Sequence, residues 1–311
     1  TTYDVMPASG TSYFAGGRKN LRNRVAAITR EENLGTADHA MYFDYDVLGN
    51  ARSVVQQFSK VKSLATSAFA AAGSDVKTVN YQYNQLTGKV KRVWYQPGKA
   101  DQFIHWYQYD EDGRMVKVQT GTNPNEMEML RETEARYYYY SHGPLARVEF
   151  GSEKIQGIDY AYTINGLLKS INSGSGTTLH DMGKDGLDEP GVGRFMPDVF
   201  GEELNYFEND YQAISAEAVD FIVQTSGDIN NGFSKPLYNG FIRNTISSLS
   251  YPGLASNERM AARAFKYDQA ARLTDMKTIF ANPDGNSIAS AFTGDFNYKM
   301  HLHYDANGNI D

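Results

Sequence analysis

The sequence predicts a mainly β protein: a long curved antiparallel sheet of stacked β-hairpins, with a few short helices. Three observations carry that expectation. Tyr (22 residues) outnumbers Phe (16), and Gly is frequent (28) where Pro is scarce (9). Tyr favours strands and sites with one apolar side and one wet end, and Gly at this level supplies many tight turns. Ring or apolar residues recur at alternate positions, as in Met41/Phe43/Tyr45, Val79/Tyr81/Tyr83 and His105/Tyr107/Tyr109. Period 2 places every second side chain on one face of a sheet. Each such run ends in Tyr and is followed by a short turn that contains Gly.

The copies follow one another along the chain. The first is Tyr45-Asp46-Val47-Leu48-Gly49-Asn50, and the second Tyr83-Asn84-Gln85-Leu86-Thr87-Gly88-Lys89-Val90. Tyr109-Asp110-Glu111-Asp112-Gly113-Arg114-Met115-Val116 and Tyr162-Thr163-Ile164-Asn165-Gly166-Leu167-Leu168 come next. Tyr267-Asp268-Gln269-Ala270-Ala271-Arg272-Leu273 has Ala where the Gly was, and Tyr304-Asp305-Ala306-Asn307-Gly308-Asn309-Ile310 is the last. Tyr140-Ser141-His142-Gly143-Pro144-Leu145 is a degenerate copy. Asp or Asn after the Tyr can bond the backbone ahead of it, and Gly supplies a positive φ at the turn. The strand after the turn also has two faces: Lys89, Lys91 and Val93 share one, Val90, Arg92 and Trp94 the other. Which face is inward depends on register, which the sequence leaves open. The copies are irregularly spaced, which suits a wide sheet better than a propeller blade or short solenoid.

Two segments break the pattern. Residues 60–77 are Ala-rich and suit a short helix ended by Gly73. Residues 173–260 form a long irregular excursion, with a helix expected near Ile214–Val223 and a return to the sheet around Leu237. The whole chain, 1–311, is read as one repeat region that belongs to a longer chain or assembly.

Composition excludes several classes of function. The chain has no Cys, so it has no disulfide framework and no thiolate metal site. Its net charge of -7 argues against nucleic acid as a partner. No run of about 18 apolar residues is present, so no transmembrane helix is expected. The chain opens Thr1-Thr2-Tyr3; a leader, if there was one, is expected to have been removed or to lie outside this chain.

The repeat resembles the YD or RHS repeat of RHS-type polymorphic toxins, insecticidal toxin-complex shells and teneurins. The resemblance extends past the Tyr-Asp pairs to Tyr95-Gln96-Pro97-Gly98-Lys99-Ala100-Asp101-Gln102-Phe103 and to the stretch Ala135 to Val148. Gln156-Gly157-Ile158-Asp159-Tyr160-Ala161-Tyr162-Thr163 and Asp181-Met182-Gly183-Lys184-Asp185-Gly186 follow in the family's order. The matches run over roughly residues 40–310. The resemblance implies a hollow β-cocoon around a C-terminal toxin segment. Neither such a toxin domain nor a self-cleaving core plug is identifiable in this chain.

Chemical candidates are few. GxSxG, HExxH, Walker and GxGxxG motifs are missing. His301 and His303 share a strand face and could form half a metal site, but they read as half-buried ring residues. Asp305, Asn307, Asn309 and Asp311 offer oxygens at alternate positions, yet Gly308 falls early for a calcium loop and the bidentate Glu is missing. His180, Asp181, Asp185, Asp188 and Glu189 form an acidic, Gly-rich cluster, read as an ordered loop and as the first place to look for an unexpected site. Tyr137 to Tyr140 could stack on sugars, and the basic residues Lys60, Lys62, Arg18, Lys19, Arg22 and Arg24 read as solvated faces.

The expectation for function is therefore an encapsulating shell of a secreted or bacterial cell-surface protein, holding a polypeptide cargo. It has no cofactor and no catalytic residue. Its partners are the rest of its own chain or the subunits of an assembly. The residues expected to matter are architectural: Tyr45, Gly49, Tyr83, Gly88, Tyr109, Asp110, Gly113, Tyr162, Gly166, Tyr267, Asp268, Tyr304, Asp305 and Gly308. A secreted module that binds glycans or a partner protein is the second expectation. An enzyme housed in residues 173–260 is the third.

Overall fold

In the computed structural model, residues 1–4, 13–14, 19–33, 36–58, 75–172, 174, 181–186, 195–213, 235–249, 260–281 and 298–310 are described. The helices expected at 60–77 and Ile214–Val223 lie outside them, except for residues 75–77. Of these, Val76 and Lys77 are strand, not helix. The one helical segment among the described residues is a 3₁₀ turn, Glu128–Leu130. The strands are antiparallel and, with their turns and loops, fall in two compact units, Thr1–Glu134 and Ala135–Asp311.

The first unit holds β1 (Thr2–Tyr3), β2 (Val25–Asn33), β3 (Thr36–Tyr45), β4 (Ala51–Phe58), β5 (Val76–Tyr83), β6 (Val90–Tyr95), β7 (Phe103–Tyr109) and β8 (Met115–Gly121). Each strand pairs antiparallel with the next. Alternation along β3 and β7 settles which face is inward. Ala40, Tyr42, Asp44, Ile104 and Trp106 are buried, while Met41, Phe43, Tyr45, His105, Tyr107 and Tyr109 are half-exposed. The ring-rich parity is thus the wetter one. Its rings form rows along the strands, with centroids 6.4 Å apart for Phe43–Tyr45 and 6.5 Å for Tyr81–Tyr83. On the inner parity Phe14 packs with Ala27, Ala40, Tyr42 and Val55. Further along, Arg131 lies 4.3 Å from the Trp106 ring centroid, so the segment after β8 covers that part of the core.

The second unit holds β9 (Glu132–Tyr139, which opens in the last residues of the first), β10 (Leu145–Phe150), β11 (Gln156–Tyr162) and β12 (Leu168–Ile171). It continues with β13 (Phe200–Asn205), β14 (Asn244–Leu249), β15 (Met260–Tyr267), β16 (Leu273–Ala281) and β17 (Tyr298–His301). Again each strand pairs antiparallel with its successor. Two of these strands, β13 and β14, fall inside residues 173–260. The interior is unusually polar: Lys169, Ser170, Asn172, Glu203, Asn205 and Asn244 are buried beside Ile246, Met260, Ala262 and Ile279. Buried polar groups must be bonded, and these largely are. The Lys169 ammonium donates to Asn205 Oδ1 at 2.5 Å and to Asp210 Oδ1 at 2.8 Å, and Asn205 Nδ2 donates to Asn244 Oδ1 at 2.9 Å.

Candidate functional site

The repeat residues build one recurring corner. At each hairpin the residue after the Tyr closes a short turn with its own backbone. Asp110 N–H donates to Arg114 O at 2.9 Å and Gly113 N–H to Asp110 O at 3.0 Å, and equivalent pairs close the turns at Asp46, Asn84, Thr163, Asp268 and Asp305. The Asp side chain then grips the far side of the turn. Asp110, Asp268 and Asp305 each accept the backbone N–H four residues on (2.7, 2.9 and 2.7 Å) through Oδ1. Their Oδ2 atoms accept from the side chain of that same residue, Arg114, Arg272 or Asn309. The turn glycines have positive φ, from 69° at Gly88 to 96° at Gly49. Ala271 takes the same conformation, at 66°, without glycine's freedom.

The Tyr does more than end a strand. The register shifts at the repeat Tyr in five hairpins, opposite Ala51, Val90, Met115, Leu168 and Leu273. In four copies the Tyr hydroxyl then reaches back across the preceding strand. Tyr45 donates to Val25 O, Tyr83 to Ala51 O, Tyr109 to Val90 O and Tyr304 to Leu273 O, at 2.7–2.9 Å. The acceptor is the first residue of that strand each time. Tyr267 donates to Ile242 O, just ahead of β14. Tyr206, which no repeat copy contains, donates in the same way to Leu168 O. Each hydroxyl therefore staples one hairpin to the strand before it, a bond that Phe could not make. The basic residue of the repeat caps the next corner. Lys89 lies 5.3 Å from the Tyr109 ring centroid, and Arg272 lies 4.6 Å from that of Tyr304. Arg24, ahead of the first copy, covers Tyr45 at 5.6 Å.

The remaining candidates fall elsewhere. His301 Nδ1 is 2.8 Å from Asp275 Oδ1, and His303 lies beyond the end of β17. Both Asp305 oxygens are engaged by Asn307 and Asn309 inside their own turn; Asp311 lies outside the described residues. His180, Asp188 and Glu189 also lie outside them. Asp181 and Asp185 do not, and they are drawn into a buried cluster in the second unit.

That cluster is built on a cross-strand pair. Arg147 of β10 sits opposite Asp159 of β11. Its guanidinium pairs through Nη1 with Asp159, through Nη2 with Asp185 at 2.7 Å, and through Nε with Glu149 at 3.4 Å. The Phe195 ring lies beneath it, 4.5 Å from centroid to Cζ. Gly157 and Gly183 flank the guanidinium so closely that a methyl group on either would collide with it. Asp181 shapes the adjoining loop, since its carboxylate accepts the N–H groups of Gly183 (3.0 Å) and Asp185. Asp198 comes in after Phe195. One oxygen from each of Asp181, Asp185 and Asp198 lies within 4.8 Å of the others.

Crowding of carboxylates in a dry pocket shifts their titration. Burial first, with Asp185 and Asp181 adding to it against the pull of Arg147, raises Asp159 to about 7. Burial and then the charges of Asp181, Asp185 and Asp159 raise Asp198 to about 8. Burial also raises Asp181. Such a group can take up a proton or a cation. Arg147, Asp159 and Asp198 were not singled out from sequence. One signal existed: Asp159 shares strand parity with Gly157 and Ala161, so a charge stands among small residues on what proves to be the buried face.

No family model matches the chain, and no curated protein matches it. Solved structures similar to it include TcdB2-TccC3 without its hypervariable C-terminal region, at 12% identity and a TM-score of 0.43 over 93% of this chain. The chain spans 13% of the length of that structure. The Photorhabdus luminescens Tc holotoxin pore is similar over 88% of this chain and 14% of its own, at 11% identity and a TM-score of 0.38. A porin-like protein from Bacteroides uniformis follows at 11% identity and a TM-score of 0.24, with 78% of this chain and 84% of that one covered. No helix among the described residues is long and apolar enough to cross a membrane.

Proposed function

We propose that this chain is a section of the wall of an RHS/YD-repeat shell in a secreted or cell-surface toxin assembly, enclosing a polypeptide cargo. The observation that supports this reading best is the recurring corner: Tyr staple, Asp-closed turn and basic cap, repeated from Tyr45 to Tyr304. A hairpin tied in this way to its predecessor can be added again and again without a new core being designed. Such a chain is suited to making area. Its work is mechanical: a continuous backbone-bonded wall keeps water and proteases from what lies behind it, and no catalytic step is assigned to it. Partner subunits or the remainder of a longer chain would complete the enclosure and cover strand edges.

The test is protease protection. The natural reading frame that contains this chain is produced intact and treated with trypsin. Any segment outside the repeat region should survive at least tenfold longer than the same segment produced alone. Equal digestion rates would sink the shell reading. A glycan- or protein-binding module is the second reading. It is favoured by a cleft of about 470 Å³ in the second unit, lined by Tyr140, His142, Tyr162 and Tyr211. It would show as saturable binding of an oligosaccharide that is lost in Tyr211→Ala.

A further inference from the structure

We propose that Asp181, Asp185 and Asp198 bind a calcium ion. Acidic residues often crowd together without a ligand, so the decisive observation lies in the bonding of these three. Asp185 has none of its surface exposed, yet its Oδ2 has no hydrogen-bond donor among the described residues. Both oxygens of Asp198 are buried and also lack a donor among the described residues. Native proteins rarely leave buried carboxylate oxygens unpaired, because desolvation without a partner is costly. The adjacent cation cannot serve them all. Arg147 spends Nη1 on Asp159, Nη2 on Asp185 Oδ1 and Nε on Glu149. None of these bonds reaches Asp198 or the second oxygen of Asp185.

The donor set selects the ion. Three carboxylates and no nitrogen or sulfur make a hard site, suited to Ca²⁺ or Mg²⁺ rather than to zinc or copper. Size then separates the two. Oxygens on opposite sides of one Ca²⁺ stand at most about 5 Å apart, and on one Mg²⁺ about 4.2 Å. The three carboxylate oxygens lie within 4.8 Å of one another, and closing that spread onto one ion asks less of the larger, geometrically tolerant calcium than of the strictly octahedral magnesium. Water would fill the remaining positions, since calcium takes about 6–8 oxygens. The loop of Asp181–Gly186 and the segment that carries Asp198 would then be held together by the ion.

The experiment uses the 311-residue chain stripped with chelator and titrated with CaCl₂ in a calorimeter and a thermal melt. The expected result is one calcium bound per chain and a midpoint rise of roughly 5 °C in about 2 mM Ca²⁺, with a smaller response to Mg²⁺. Asp198→Asn should abolish both the heat and the shift, and should raise the melting point of the metal-free chain. Asp305→Asn, in the turn at the far end of the sequence, should leave the calcium response unchanged. A wild-type chain with no binding heat and no shift overturns the proposal, whether or not the variants fold. So does a response that survives Asp198→Asn, or one that disappears in Asp305→Asn.

Discussion

Ala271 and Gly113 occupy the same place in the corner but differ in one methyl group, and that methyl decides their stability. Both have left-handed backbones, at φ 66° and 77°. For an L-residue with a Cβ this costs about 1–2 kcal/mol, and glycine escapes it. Ala271→Gly should therefore stabilise the second unit by up to about 1 kcal/mol, after the extra chain entropy of Gly is subtracted. Gly113→Val should do the reverse in the first unit, by about 1–2 kcal/mol, because a side chain there also meets Lys89 Cε at 2.6 Å. Urea unfolding of the two variants checks both, and a pair that shifts in the same direction would refute the assignment. The positive φ was legible from Gly at five turns, those of Gly49, Gly88, Gly113, Gly166 and Gly308. The hydroxyl staple was legible only as a preference for Tyr over Phe, because its acceptor lies 19–32 residues away in sequence.

At the scale of the hairpin, the turn aspartates make stability depend on acid. The backbone N–H of Arg272 holds Asp268 below its ordinary pKa, and the Asn309 side chain does the same for Asp305. In Asp46 and Asp110 burial acts upward and is outweighed by hydrogen bonds from Asn50 and Arg114. A carboxyl with a lowered folded pKa adds stability above its unfolded value, and that contribution is lost as pH falls through the folded value. The melting point should thus fall as pH drops below about 4, and Asp268→Asn should make that fall shallower than in the wild type. A wild type and a variant with parallel profiles would count against the clamp. The sequence announced these turns because everything that makes them lies within five residues: Asp, Gly and a donor four places on.

At the scale of the molecule, a few buried ions tie together segments that are distant in sequence. Arg147 joins β10, β11 and the loop at Asp185, 38 residues further on. Arg147→Met would leave Asp159 and Asp185 buried without their counter-charge, a loss of about 3–5 kcal/mol. That shows as a lower urea midpoint; a change below about 1 kcal/mol would mean that the cluster is solvated rather than buried. Antiparallel strands, hairpin turns and the repeat were set by the sequence alone, because each depends on alternation and turn chemistry within about ten residues. The inward face was not, since a one-residue slip exchanges the two faces and only pairing fixes the register. Nor was the destination of Asp198 or of the Tyr hydroxyls. Asp181 and Asp185 could be suspected from their spacing, but Arg147 and Asp159 of the β10–β11 hairpin, and Asp198, meet them only when that hairpin is brought against the segments between β12 and β13.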